Sequence, residues 1–123
     1  MRAMTLCDGV LDLNSSFPQP QAVEGEALLK LRLAGICRTD LELVEGYYPF
    51  AGTLGHEFVA DVVEGSERFR GRRVVGEINA SCHQCEVCRA GQPLHCPHRT
   101  VLGIVGRDGC FSDYFRLPEL NLH

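Results

Sequence analysis

Cys82, Cys85, Cys88 and Cys96 are spaced C-x2-C-x2-C-x7-C. Zinc takes four soft ligands in a tetrahedron, with Zn–S near ~2.3 Å. Two-residue gaps let the chain curl so that successive sulfurs face one centre, and the longer gap brings the last sulfur from the far side. A metal held by four protein ligands has no position left for water or substrate, so such a site is structural. Each thiol binds as thiolate, which leaves the cluster with a charge of about −2. Arg89, Arg99, His83, His95 and His98 lie near enough in sequence to soften it. An iron–sulfur cluster is the main rival, because ferredoxin-type runs share C-x2-C-x2-C and a proline after the final cysteine. Pro97 does follow Cys96, but the last gap is seven residues here where that run has three. Disulfide pairing and unliganded thiols are weaker rivals. Empty thiols would leave residues 82–99, which are polar and without apolar periodicity, with no source of order.

A second constellation is looser. Gly35–Asp40 reads G-I-C-R-T-D, and Gly55–Glu57 reads G-H-E. A cysteine, a histidine and a carboxylate from separate segments suit an open zinc site, in which one position stays free and the metal acts as a Lewis acid on a bound oxygen. Neither motif is specific alone: a single cysteine at a strand end is usually a small buried hydrophobe.

Taken in order, G-I-C-R-T-D, G-H-E, the four-cysteine run and D-G-C-F-S-D-Y (Asp108–Tyr114) resemble the medium-chain, zinc-dependent alcohol dehydrogenase family. The resemblance implies a GroES-like β-barrel carrying a four-cysteine zinc lobe at about residues 80–100. It implies that Cys37 and His56 bind a catalytic zinc, that Asp40 supports His56 or the metal, and that Glu57 sits just behind it. Thr39 falls where the family has a hydroxyl that relays the proton of the substrate alcohol. Arg38 falls where some members set a basic residue against the cofactor pyrophosphate. Thr39 has a competing role, since Thr39 and Glu42 also form a T-x-x-E helix-capping pattern. Strand alternation argues against Glu57 as a direct ligand, because neighbours on a strand point to opposite faces.

The elements that must position these residues are mostly short strands. Residues 1–7 suit a first strand, followed by a polar, proline-bearing connection over 14–21. In 27–34, Leu29, Leu31 and Leu33 alternate with Lys30 and Arg32, as in a half-buried strand. A helix of at most two turns begins at Thr39, with Leu41 and Val44 as its apolar stripe and Gly46 at its end. Strands follow over 56–64, 72–78 and 111–117, the last stopped by Pro118. Many short strands with little helix indicate a mainly β barrel or sandwich.

The chain has 123 residues, enough for one domain with a modest core. A net charge of −4 with no basic run argues against nucleic acid or an anionic membrane as partner. No apolar run approaches the ~20 residues of a membrane helix, and residues 1–15 lack a secretory leader's apolar core. The expected location is the cytoplasm. Seven cysteines, a high and odd count, fit metal binding by reduced thiols there. Gly103, Gly106 and Gly109 are spaced G-x2-G-x2-G, not the G-x-G-x-x-G of a dinucleotide-binding turn. They are expected to be loop glycines.

The expected function is therefore the catalytic-type half of an alcohol or polyol dehydrogenase. Its substrate is a small alcohol or carbonyl compound and its cofactor NAD or NADP, with the nucleotide-binding domain absent. As a fragment it is expected to be inactive, with a filled structural zinc site, a weak or empty catalytic one, and some tendency to form homo-oligomers. The competing function is a stand-alone zinc-stabilised binding module. Purified protein is expected to be colourless, with zinc held by the lobe; a brown sample containing iron and sulfide would replace the zinc reading.

Overall fold

The computed structural model describes residues 1–123. Strands β1 (Ala3–Cys7) and β2 (Val10–Asn14) form an antiparallel hairpin. The turn is Asp8-Gly9, with φ of 49° and 76°, the left-handed pair that a two-residue hairpin turn requires. The Asp-Gly dipeptide is the local signal for β2, a strand that periodicity alone does not reveal. On its other side β1 pairs with β4 (Gly52–Thr53).

The central sheet has the order β10-β3-β5-β6, all antiparallel. Its strands are β3 (Glu26–Gly35), β5 (Glu57–Glu64), β6 (Arg73–Val74) and β10 (Tyr114–Pro118). A third small sheet joins β7 (Asn79–Ala80), β8 (Thr100–Leu102) and β9 (Gly106–Arg107). Only two α-helical segments interrupt the strands: α1 (Arg38–Val44) and α2 (Glu86–Arg89). This is the expected mainly β architecture with short helices and a four-cysteine lobe.

The core lies on the inner face of the central sheet. Ala27, Leu29, Phe58, Ala60, Val62, Phe115 and Leu117 are buried there, together with Leu102 and Cys110 from the segments that cross it. Phe58 and Phe115 meet edge to face at 4.8 Å, a favoured aromatic geometry. A smaller cluster of Leu6, Leu43 and Leu54 fastens α1 to the β1–β4 sheet.

Several local expectations change. Leu29, Leu31 and Leu33 do not share a face: Leu29 is fully buried, whereas Leu33 is 67% exposed. The β3–β5 register shifts between Leu31 and Leu33, placing Arg32 opposite no partner. One extra residue reverses the phase of everything beyond it. The strand expected over 72–78 is regular only at Arg73–Val74, and then touches the chain end through Val75–His123 and Gly76–Leu122. The last strand starts at Tyr114 instead of Phe111, because Phe111–Asp113 bond to Arg2 and Met4 of the hairpin sheet first. Pro118 is its final residue.

Truncating Phe115 to Ala should cost about 3–5 kcal/mol, the usual range for a buried aromatic, read from urea unfolding. A loss below about 1 kcal/mol would mean that the sheet face is not the core.

Candidate metal centres

The lobe between β7 and β8 has little core of its own. The helix α2, a 3-10 turn at Pro93–His95 and the cysteines make up most of it. The sulfur of Cys82 lies 3.9 Å from that of Cys88 and 3.5 Å from that of Cys96, and Cys85 and Cys96 are 3.9 Å apart. The edge of a tetrahedron with Zn–S near ~2.3 Å is about 3.8 Å. Disulfide sulfurs would lie at about 2.05 Å, so these are not disulfide spacings, and the four sulfurs fit one zinc. Backbone N–H groups supply the charge relief expected around thiolates: Cys82 N–H donates to Cys96 Sγ at 3.5 Å, and Cys85 N–H donates to Cys82 Sγ at 3.4 Å. Backbone donors at Gln84 and Cys85 pull Cys82 down to about 6, whereas desolvation pushes Cys88 up to about 12. Binding a metal must therefore displace protons from some of the four thiols. His83, with φ of 55°, makes the tight turn between Cys82 and Cys85.

The second centre lies where β3 and α1 meet the start of β5. Gly35 ends β3, Cys37 is the N-cap of α1, and His56 immediately precedes β5. Ligand atoms of Cys37, His56 and Glu57 all lie within 4.8 Å of one another. Asp40 holds this junction together. It is 2% exposed. Its Oδ2 accepts from the Cys37 N–H at 2.9 Å, and its Oδ1 accepts from the Gly55 N–H at 3.2 Å. The same Oδ1 is 3.3 Å from His56 Nδ1. That approach lacks hydrogen-bond geometry, so Nδ1 is a buried ring nitrogen without a proper partner. A carboxylate beside one ring nitrogen is the usual way to fix a metal-binding imidazole, leaving the other nitrogen for the metal. The donor chemistry, one thiol, one imidazole and one carboxylate, fits an open zinc site.

Two local expectations change here, the direction of the Glu57 side chain and the position of the helix cap. Strand alternation would point Glu57 away from His56. His56 lies before the strand, outside its alternation, and Gly55 turns the backbone with φ of 95°. The Glu57 carboxylate thus reaches the Cys37–His56 pocket and lies over Gly35, where a side chain would collide with it. The T-x-x-E pattern would cap helix α1 at Thr39. The cap falls two residues earlier, at Cys37, because the buried Asp40 side chain takes the Cys37 N–H. Thr39 is inside the first turn and half-exposed, which removes the capping role that competed with its relay role. The buried face of α1 is Asp40 and Leu43, whereas Leu41 is 49% exposed. Gly46 does close the helix, with φ of 86°.

Arg38 is exposed and pairs with Glu42 one turn on, at 3.3 Å. A cleft of about 620 Å³ runs beside Asp40, walled by Leu11, Leu13, Leu31, Ile36, Leu41 and Phe111. Cys110 is fully buried in the core and donates to the Glu57 carbonyl at 3.6 Å. Desolvation pushes its thiol up to about 12, so it stays protonated at neutral pH and keeps that donor. Its place in D-G-C-F-S-D-Y is the only sequence signal. Cys7 is exposed at the hairpin turn, away from either cluster.

The chain is thus a mainly β domain with two clusters of metal-ligating residue types, one of four cysteines and one of a cysteine, a histidine and a carboxylate. The family model described as "Alcohol dehydrogenase GroES-like domain" matches residues 23–123, and the chain belongs to that family. It is 35% identical over 116 residues to the L-threonine 3-dehydrogenase of Legionella pneumophila (strain Corby), covering 85% of this chain and 34% of that protein. The chain therefore spans about one third of the length of that curated relative. Alcohol dehydrogenase TADH from Thermus sp. ATN1 superposes with a TM-score of 0.85 at 29% identity, covering 100% of this chain and 39% of that one. Haloferax mediterranei glucose dehydrogenase, solved in complex with NADP, Zn and gluconolactone, gives 0.82 at 29% identity, covering 99% and 38%.

Replacing Asp40 by Asn turns an amide N–H towards a backbone N–H of Cys37 or Gly55. The unpaired buried donors should cost about 1–3 kcal/mol; equal stability in denaturant unfolding would contradict the bridging role. Cys85→Ser should release the lobe's zinc and lower Tm by several degrees, read by metal analysis and calorimetry. An unchanged Tm would show that the lobe is not metal-ordered.

Proposed function

We propose that this chain is the zinc-binding, catalytic-type domain of a longer NAD(P)-linked dehydrogenase that oxidises a small alcohol to a carbonyl compound. The supporting observation is the meeting of Cys37, His56 and Glu57 within 4.8 Å of one another in a barrel whose other cysteine cluster has all four ligands. Three protein donors leave a tetrahedral ion one open position, which a scaffold would not need. When bound there, zinc supplies Lewis acidity towards the substrate oxygen.

The chain's own residues prepare that position. Cys37, His56 and Glu57 hold the pocket, and Asp40 keeps the imidazole of His56 oriented. Thr39, half-exposed on the first turn of α1, accepts the alcohol proton and passes it outward. Arg38 extends from the same turn to meet the cofactor pyrophosphate. Cys82, Cys85, Cys88 and Cys96 bind the structural zinc. With three donors available, zinc at Cys37 is expected to be measurable but weaker than in the lobe.

Hydride transfer needs a nicotinamide beside the substrate carbon, gripped by a dinucleotide-binding unit. Residues 1–123 contain no such turn: Gly103 lies on the β8–β9 turn, Gly106 opens strand β9 against the loop-glycine expectation, and Gly109 lies in the loop after it. The relative bound to NADP and zinc supports NAD(P) as cofactor, and the threonine dehydrogenase supports a small hydroxylated substrate. The relatives are about three times longer than this chain, which supports assigning the nucleotide-binding half to further chain. The seven unpaired cysteines suit the cytoplasm. No helix is long and apolar enough to cross a membrane.

Metal analysis tests the pocket. A second, weaker zinc should disappear in Cys37→Ser while the lobe's zinc stays; a single zinc in both proteins would remove the catalytic reading. In the longer enzyme, Thr39→Ala should lower kcat by roughly a hundredfold, the usual scale of acid–base assistance, with zinc content intact. An unaltered kcat would exclude the relay.

A further inference from the structure

The His56–Glu57 corner does not stand alone. The segment Gly103–Phe111 closes over Thr53–Glu57 from behind. Asp108 Oδ1 accepts from the Thr53 N–H at 2.8 Å. Gly109 N–H donates to the Thr53 carbonyl at 2.7 Å, Phe111 N–H to the Leu54 carbonyl at 2.9 Å, and Cys110 N–H to the Gly55 carbonyl at 2.9 Å. Cys110 Sγ reaches the Glu57 carbonyl as well. Every residue from Thr53 to Gly55, and Glu57 beyond, is thus held by this one segment.

Such a clasp brings backbone against backbone. A Cβ on Gly103 would strike the Gly55 backbone, and one on Gly109 would strike the carbonyls of Leu54 and Gly55. On its other side Gly55 lies against the Phe111 ring, and its φ of 95° suits only glycine. Gly55 therefore cannot yield to a side chain at Gly103 or Gly109 without moving His56, its neighbour in the chain. Gly106 differs. It also has positive φ, 59°, but a Cβ there would meet only Thr100 Cγ2 at an ordinary 3.6 Å.

We propose that Gly103 and Gly109 are positioning residues for the open metal pocket: seated on Gly55, they set the backbone from which His56 and Glu57 reach the metal. The proposal rests on the pocket assigned above. It explains why two of the three glycines that mimic a dinucleotide turn are needed although they bind no dinucleotide. Groups just behind metal ligands commonly change metal affinity by roughly ten- to hundredfold, and that is the effect expected.

The test is cobalt(II) titration of the full chain with zinc already in the lobe. Cobalt's visible bands report the pocket, and zinc content reports the lobe. Gly103→Ala and Gly109→Ala should bind pocket cobalt roughly ten- to hundredfold more weakly while keeping the lobe's zinc. Gly106→Ala, which carries the same left-handed strain as Gly103→Ala without the contact, should titrate like the parent. Parent-like affinity in Gly109→Ala overturns the proposal. Equal damage from Gly106→Ala, or global unfolding of both Gly103→Ala and Gly109→Ala, also overturns it, since the glycines would then serve the fold at large. If the parent and Cys37→Ser titrate alike, the metal reading fails separately. The positioning claim is then decided on metal-free protein by the NMR signals of the His56 ring: a shift in Gly109→Ala but not in Gly106→Ala upholds it, and no shift refutes it.

Discussion

The candidate centre depends on one buried carboxylate. Asp40 takes the N–H of Cys37 with one oxygen and the N–H of Gly55 with the other, and the second oxygen also faces the ring of His56. Cys37 and His56 lie just beyond the end of the β3–β5 ladder, where Gly35 pairs with Glu57, and Asp40 ties these two strand ends together. Burying a carboxylate is costly unless its lone pairs are satisfied. Here two backbone donors satisfy it, and in doing so fix the start of α1 to the turn before β5. The side chain that takes the N–H of the cap residue is the same one that takes the Gly55 N–H, so Asp40 couples the start of α1 to the pocket.

The two centres show two ways of ordering metal ligands. In the four-cysteine lobe, the only buried residue between Ala80 and Val101 is Cys96. Its sulfurs stand at 3.5–3.9 Å because a short chain with repeated two-residue gaps can curl around a point. The four cysteines stand where that lobe's core would be. The open pocket is built the other way round. Its ligands sit at the ends of strands whose faces are already packed by Leu29, Phe58 and Phe115, and the Gly103–Phe111 segment stiffens them further. Rigid elements can present three donors and leave one position open, which a self-assembling knot of cysteines cannot.

Much of this was legible in the sequence where the information is local. The C-x2-C-x2-C-x7-C spacing carries its own geometry, and the short helix ending at Gly46 follows from turn chemistry. Other features were hidden because they are set by partners far along the chain. Leu33 faces outward because a bulge at Arg32 reverses the alternation of β3 against β5. Thr39 lost the cap to Cys37 because Asp40 is held by Gly55. The β2 hairpin had a local signal in Asp8-Gly9, but its apolar residues look outward and gave no core pattern.

Composition and spacing alone determined a mainly β domain, a four-cysteine cluster, and two short motifs with the residue types of an open zinc site. They could do so because ligand chemistry and turn chemistry act over a few residues. Tertiary structure alone decided that Glu57 turns into the pocket beside Cys37 and His56, and that loop glycines press on the backbone behind them. These outcomes depend on φ at Gly55, on strand register and on the close approach of segments some fifty residues apart. Only the packed chain specifies such quantities, because each is fixed by what lies across the barrel and not by what lies next in sequence.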